Sequence, residues 1–449
     1  MTKFRINKYR SQVYTALNNP LVKSMLVVGL ISVLIKATGF YKETVVAASF
    51  GLSELLDTFL IAVLIPAFVQ NVFINSLSNL FVPNYITELK TTNHKKAFQS
   101  VSFLIVTALA VALTIVCYIF SEYFLTIVFP NHTDNYYHLI RVQFYLILPC
   151  LLFWGYSSLL SSLLEVRSKF LYSTFSPIFV TITTILCLLF FKQELKEVVL
   201  AVGMLSGSII AFFYLLILCI YHKEISFGTP MVNQNIRNMI GQFPPKLASG
   251  FLTGSNSFVD QFFAAQLVAG SIAALNYGAK IPAFTVGMLI LPLGRVLLPH
   301  FARSINDDLD KAYKQLFKIL KCVFFGSLAL ALVGIFFSSD IVRILFQRKA
   351  FTADDTYIVA NLQKIGMIYI PFYLSTLISV KFLTAINKNK FMAWTSFWNL
   401  GVNLMFNYIF MKLFGVYGLA LSTTLMYILS SVIYVGYTYK QYKLTLIKL

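Results

Sequence analysis

Ionisable side chains inside long apolar stretches are the residues of this sequence whose types and positions could do chemistry. The ionisable residues in the apolar windows include eight cations and three anions, namely Lys36, Lys42, Arg141, Lys246, Lys280, Arg295, Lys364 and Lys381 against Glu43, Asp57 and Asp260. If these windows cross a membrane, each buried charge costs about 2.5 to 3.5 kcal/mol and needs a partner, a route to the interface or a water-filled cavity. The surplus of cations predicts that an anionic ligand binds among them.

Three lysines are the strongest candidates for contact with such a ligand. Lys36 lies near the middle of its window, and Lys42 follows six residues later, about 9 Å further along the same helix. Glu43 can neutralise at most one of its neighbours. Lys280 belongs to the stretch GAKIPAF in another apolar window. Lysines nearer the window ends can instead extend to the membrane surface.

Catalytic patterns are not found in the sequence. The five histidines lie in loops or at window ends without a carboxylate or cysteine at ligand spacing, and the five cysteines lack CxxC spacing. No glycine loop of the Walker type is present either. We therefore expect a protein that is not an enzyme and has no cofactor, with lipid chemistry as a minor alternative.

The elements that must position these lysines are membrane-spanning helices. The chain has 449 residues, of which 58% are hydrophobic and 12% charged, and its mean hydropathy is +0.76, which is far too apolar for a soluble domain. Apolar windows of about 20 residues predict an all-α integral membrane protein with about twelve transmembrane helices. The predicted spans are 24–50, 55–83, 98–121, 138–163, 170–191, 197–221, 243–268, 271–301, 316–338, 357–384, 391–411 and 414–438.

The net charge is +19, and the basic residues are distributed by side of the membrane and are not gathered on one face of the molecule. Basic residues crowd the amino terminus and every second loop, whereas the alternate loops are nearly bare, as in the segment from Glu122 to His138. This positive-inside pattern predicts that both termini are cytoplasmic. It also accounts for the charge without a nucleic-acid partner. The first 23 residues do not resemble a cleaved signal peptide.

The sequence contains an internal repeat of a six-helix unit. IPAF occurs at 65–68 and again at 281–284, and the later pairs Pro83 with Pro299 and Pro149 with Pro371 keep the same order. We therefore expect two pseudo-symmetric six-helix lobes around a central cavity, bounded at 24–222 and 243–440. A cytoplasmic linker would cover 223–242, with cytoplasmic segments at 1–23 and 441–449. Pro66 and Pro282 would bend equivalent helices.

Several motifs together resemble one known family. The stretch IKATGFYKETVVAASFGLSELLDTFLIAVLIPAF, with NLFVPNYITEL, VLLPHFAR and ILFQRKAFTADDT further on, is similar to the MurJ/MviN family of lipid II flippases. The resemblance runs from about Ser24 to about Tyr439. The larger superfamily also holds multidrug exporters and flippases of oligosaccharides on polyprenyl carriers.

That resemblance implies a function in the cell envelope. Family members flip a polyprenyl-pyrophosphate-linked saccharide for cell-wall (peptidoglycan) synthesis across the bacterial inner membrane by alternating access, with the headgroup in a cationic cavity. By position, the substrate-binding residues would be Lys36, Lys42, Glu43, Asp57, Gln70 and Lys280, and the hinge positions Gly39, Pro66 and Pro282.

Departures from the family pattern keep other substrates open. Lysines replace the family's arginines, Gln70 replaces a basic residue, Asn75 replaces a glutamate, and the predicted helices stop at twelve where lipid II flippases usually have two more. The saccharide could belong to lipid II or to an exopolysaccharide or O-antigen precursor. The alternatives are a multidrug or anionic-solute exporter and a non-transporting scaffold for envelope-synthesis enzymes.

The resemblance also implies an ion site in the carboxyl-terminal lobe. Some members hold sodium with an acid on the seventh helix, two polar residues four apart on the eleventh and a hydroxyl on the twelfth. Asp260, Asn399, Asn403 and Thr423 take roughly those places. Oxygen ligands suit a hard cation, but the same residues could form a hydrogen-bonded cluster between helices. Both interpretations stay open, with Na⁺ as the candidate coupling ion.

Overall fold

The computed structural model describes residues 20–91, 94–130 and 132–448, and in this part the chain is mostly helical, without strands. The long helices, which we label α1 to α12, are Pro20–Phe50, Glu54–Thr91, Lys95–Val128, Asp134–Val166, Phe170–Phe190, Lys192–Tyr221, Phe243–Ala264, Ser271–Asp307, Leu309–Phe336, Ala353–Ala385, Asn389–Phe414 and Val416–Lys448. Shorter helices cover Gln234–Gly241 and Ser338–Phe346. The predicted amino-terminal segment lies almost entirely outside the described residues.

The length and apolarity of the helices make this a multi-pass membrane protein. Eight of the described helices are long and apolar enough to cross a bilayer, namely α2 to α6, α9, α10 and α12. The other four long helices, α1, α7, α8 and α11, have 31, 22, 37 and 26 residues. An all-α membrane fold is thereby confirmed, and a count of twelve spans stays a prediction.

Helix α2 changes its winding after its internal proline. Pro66 is buried, and a π-helical turn, Gln70–Ile74, begins four residues later. Proline has no backbone N–H to donate and its ring crowds the preceding turn, so local rewinding of the helix is the expected accommodation. The chain stays helical through Thr91, and the hinge role of Pro66 remains a prediction.

Contacts between residues divide the chain into two compact units. Unit 1 comprises residues 1–46, 65–121 and 141–247, and unit 2 comprises 47–64, 122–140 and 248–449. Unit 1 has a core around Phe81 and Phe98, against which Ile236 and Met239 of the short helix Gln234–Gly241 pack. The lobe boundaries expected from the repeat remain a prediction from the sequence.

Buried polar side chains attach the linker at 223–242 to the helices of unit 1. Gln99 donates to the Glu224 carbonyl at 2.9 Å and accepts from the Ser226 N–H at 2.7 Å. The fully buried Glu88 accepts hydrogen bonds from the Asn233 and Asn235 amides at 2.8 and 2.7 Å. The linker therefore packs as part of unit 1.

In unit 2, small residues allow α8 and α10 to approach closely. A Cβ atom on Gly278 would lie 2.6 Å from the Leu362 Cβ, and one on Gly366 would lie 3.1 Å from the Pro282 Cγ. Gly278 and Pro282 are one helical turn apart, as are Leu362 and Gly366. Close approach at small residues is a usual way to pack membrane helices, and here it positions the helix that carries Lys280.

Candidate functional site

Lys36 and Lys42, the two candidate lysines of α1, differ in their surroundings. Lys36 is exposed, whereas the Lys42 Nζ lies 3.0 Å from the Glu43 Oε1, with the two side chains 26% and 19% exposed. The Lys42–Glu43 pair is partly neutralised, so Lys36 is the stronger cation of α1 for an anionic ligand.

Lys280 and Gln70 are both half-buried. Lys280 lies in sequence between Gly278 and Pro282, two residues of α8 that contact α10. Gln70 begins the π-helical turn of α2. Gly39 has open space around it, because a Cβ atom there would meet nothing within 4 Å. The structure describes these residues within their own units, and their shared role in one cavity stays a prediction.

Asp57 has a different environment from the lysines. Its side chain is 2% exposed, and its two oxygens accept hydrogen bonds from the Gly270 and Ala273 N–H groups at 2.6 and 2.7 Å. Gly270 has a φ of 90°, a conformation that favours glycine, and it precedes the first residue of α8. Asp57 therefore caps the amino terminus of the helix that carries Lys280, where a carboxylate is favoured by the helix dipole.

A second group of polar residues meets on α7, α11 and α12. The Asp260 carboxylate accepts from the Asn407 amide at 2.7 Å, from the Asn403 amide at 3.3 Å and from the Thr423 hydroxyl at 3.1 Å. Asn403 and Asn407 are completely buried, and the Asn407 Nδ2 also lies 2.8 Å from the Asn403 Oδ1. We call Asp260, Asn403, Asn407 and Thr423 the Asp260 cluster.

The membership of this cluster differs by one residue from the prediction. Asn399 lies apart from it and donates to the Ser430 hydroxyl at 3.0 Å, whereas Asn407 belongs to it and the sequence interpretation missed it. Residues four apart share a helix face, so the spacing of two asparagines fits Asn403 with Asn407 as well as Asn399 with Asn403. The sequence spacing could not choose between these two pairs.

The donor set of the Asp260 cluster is made of oxygens. A carboxylate, a hydroxyl and two amide oxygens are ligands that a hard cation prefers, and the Asn407 Oδ1 is buried with no hydrogen-bond partner among the described residues. Within the same residues, no group of three or more His, Cys, Asp or Glu could hold a metal ion. The residues present therefore fit a monovalent hard cation such as Na⁺ better than a transition metal.

The fold of this chain is shared with solved membrane transporters. A solved lipid II flippase MurJ in an inward closed conformation superposes with a TM-score of 0.80 at 22% identity, covering 92% of this chain and 87% of the other. An inward-facing multidrug resistance MATE family transporter of the MOP superfamily gives 0.75 at 11%, covering 90% and 94%. At these identities the likeness shows the fold alone.

The family is shown by the sequence. A family model described as lipid II flippase MurJ matches residues 46–449, and the chain therefore belongs to this family. A probable lipid II flippase MurJ from Rhizobium tropici is 25% identical over 371 residues, covering 79% of this chain and 69% of that protein. The lipid II flippase MurJ of Burkholderia cenocepacia is 24% identical over 421 residues, covering 90% and 80%. The resemblance found in the sequence motifs is confirmed.

Proposed function

We propose that this chain is a flippase that moves a polyprenyl-pyrophosphate-linked saccharide from the inner to the outer leaflet of the bacterial plasma membrane by alternating access. The observation that carries the proposal is the family match over residues 46–449. No covalent bond changes in such a step, so the protein works as a transporter and not as an enzyme. Both termini lie in the cytoplasm, as the distribution of basic residues indicates.

Electrostatic attraction by lysines provides the affinity for the diphosphate. A unit charge pair at 4 Å is worth about 4 kcal/mol at an effective dielectric constant of 20. Lys36 and Lys280 attract the diphosphate, and Lys42, already paired with Glu43 at 3.0 Å, adds less. Lysine binds phosphate as a point charge without the two-pronged geometry of arginine, which favours release after transport. We assign Asp57 to the support of α8 and Gln70 to polar contact with the headgroup.

Sodium is the coupling ion that the Asp260 cluster suits best. Asp260 would supply the negative charge, and Asn403, Asn407 and Thr423 would complete an oxygen shell around the ion. Rotation of the two amide groups would direct their oxygens toward the ion in place of the N–H groups that Asp260 now accepts. Such a site joins three helices of unit 2, so ion binding would stabilise that unit.

The lipid-linked saccharide proposed first is lipid II, because the relatives from Rhizobium and Burkholderia are named for that substrate. An exopolysaccharide or O-antigen precursor shares the polyprenyl diphosphate and would use the same lysines. An exporter of organic cations fits less well, because exposed Lys36 would repel them.

Replacement of a depleted lipid II flippase tests the proposal. We expect the chain to restore growth of a depleted strain, and Lys36→Ala and Lys280→Ala to lose this ability while still inserting into the membrane. Lys412→Ala is the matched control, since this exposed lysine stacks on Tyr408 of its own helix. Full growth with both alanine variants would contradict the lysine assignment.

Mass spectrometry of copurified lipids separates the substrates. A polyprenyl diphosphate with a different saccharide, found together with failure to restore growth, would favour polysaccharide export over cell-wall synthesis. Purification without any polyprenyl diphosphate would count against the flippase itself.

A further inference from the structure

A polar cavity lies within unit 1 between α2 and α4, on residues to which the flippase proposal gives no role. Its volume is about 570 Å³, and its polar walls include Asn75, Ser78 and Asn79 of α2 and Ser158, Ser161 and Glu165 of α4. We call it the α2–α4 cavity. Among its nine lining residues only Val82 and Pro83 are apolar.

Each wall of the α2–α4 cavity is one face of a helix. The lining positions of α2 are 75, 78, 79, 82 and 83, and those of α4 are 158, 161, 162 and 165. Spacings of three and four residues put such positions on a single face. Polar groups on a membrane-spanning helix need protein or water to satisfy them. Asn79 is exposed and Ser161 half-buried, so the two faces border open space.

A hydrogen bond joins the two walls, a second lies within α4, and together they do not use all of the polar groups of the lining. The Ser78 and Ser158 hydroxyls lie 2.5 Å apart across the two helices, and the Ser162 hydroxyl donates to the Ser158 carbonyl at 2.9 Å. The exposed amide of Asn79 can donate and accept, as can the Ser161 hydroxyl. The cavity thus has walls that are hydrogen-bonded to each other and polar groups that can donate to or accept from a ligand.

The charge of the lining decides which part of a lipid-linked saccharide fits. None of the nine lining residues is basic, and Glu165 is acidic. The nearby cations Arg167 and Lys169 are paired with Glu224 at 3.0 and 3.5 Å. The acidic lining would repel a diphosphate. A polyprenyl chain would gain nothing from entering, because a polar cavity does not bury its apolar surface away from water. Neutral hydroxyl groups match donors and acceptors without net charge.

We propose that the α2–α4 cavity binds sugar hydroxyls of the transported headgroup and selects for the saccharide, separately from the lysines that attract the diphosphate. This inference rests on the proposed flippase function. The cavity lies at the ends of α2 and α4 that the charge pattern places on the cytoplasmic side, where the headgroup enters. A lipophilic cation fits less well, because such ligands use aromatic surfaces and the lining has none.

Binding of two probes to the full-length chain tests the cavity. Lipid II and undecaprenyl pyrophosphate share carrier and diphosphate, and only lipid II has a sugar. For the double variant Asn79→Leu with Ser161→Ala, native mass spectrometry should show lipid II binding weakened roughly tenfold, since each neutral hydrogen bond contributes a few-fold. Undecaprenyl pyrophosphate binding should be unchanged. Ser206→Ala is the control, because this half-buried serine bonds within α6, away from the cavity.

The other results overturn the inference in distinguishable ways. Unchanged binding of both probes, or equal weakening of both, would exclude a saccharide subsite while leaving the flippase intact. Tetraphenylphosphonium binding that is lost in Glu165→Gln, with lipid II binding unaltered, would assign the cavity to organic cations. A wild-type protein that binds neither polyprenyl probe would overturn the flippase function and the subsite together.

Discussion

At the scale of single residues, Asp57 and Lys36 are both ionisable side chains of apolar helices, and their surroundings differ. Asp57 is buried and uses both oxygens on backbone N–H groups at 2.6 and 2.7 Å, so its charge stabilises a helix start. Lys36 is exposed and remains available to a ligand. The structure therefore gives Asp57 a supporting role, whereas ligand binding by Lys36 stays a prediction.

Asp57→Asn keeps the size and shape of the side chain but should destabilise the protein. One carboxylate oxygen becomes an NH₂ group that faces a backbone N–H, so a buried donor loses its partner, at a cost of about 1 to 3 kcal/mol. The melting temperature in detergent should fall, whereas Glu54→Gln, an exposed acid in the same first turn, should not change it. Equal melting temperatures for Asp57→Asn and wild type would show that the cap contributes nothing.

At the scale of helices, close approach and shared faces decide which residues meet. Gly278 and Gly366 allow α8 and α10 to touch, and the helix register of α11 presents Asn403 and Asn407, and not Asn399, to Asp260. Both results depend on the packing of helices that are distant in sequence. Each leads to a test with a built-in control.

Gly278→Ala should separate α8 from α10. Its added methyl group would lie 2.6 Å from the Leu362 Cβ, and overpacking of this kind costs typically about 1 to 3 kcal/mol. Gly326→Ala in α9 adds the same methyl group where nothing lies within 4 Å, and it should keep or raise the melting temperature. If the two variants melted alike, the close contact would not limit stability.

Sodium should raise the melting temperature of the wild-type protein relative to choline at equal ionic strength, because an ion that binds the folded state stabilises it. The effect should be lost in Asp260→Asn and in Asn407→Ala and kept in Asn399→Ala, since Asn399 bonds to Ser430 instead. A sodium effect that depends on Asn399 and not on Asn407 would support the ion site predicted from the sequence, with Asn399 as a ligand. Sodium without effect on wild type would leave the cluster as a hydrogen-bonded joint between helices.

At the scale of the whole molecule, the distribution of charge predicts one orientation in the membrane. The net charge of +19 lies mainly at the amino terminus and in alternate loops, and translocation of such loops is disfavoured. In the proposed transport cycle, this orientation would set the side of the membrane on which a headgroup first reaches the lysines.

The carboxyl terminus should therefore be cytoplasmic. A green fluorescent protein fused after Leu449 should fluoresce, and alkaline phosphatase fused at the same place should be inactive. Alkaline phosphatase inserted after Thr133, in the basic-poor loop between α3 and α4, should be active. The reverse result would place both termini outside the cytoplasm and contradict the orientation that the basic residues indicate.

The sequence by itself determined the membrane class, the approximate helix positions and the family, because apolar periodicity, loop charge and motif order are local properties of the chain. The predicted spans are shorter than some helices: the sequence predicts 55–83, whereas α2 runs to Thr91, since backbone hydrogen bonds persist beyond the apolar window. Only the tertiary structure decided that Asp57 caps α8, that Asn407 replaces Asn399 beside Asp260, and that α2 and α4 enclose a polar cavity. The partner of a polar group depends on the packing of helices far apart in sequence, and the spacing of residues along one helix does not contain that information.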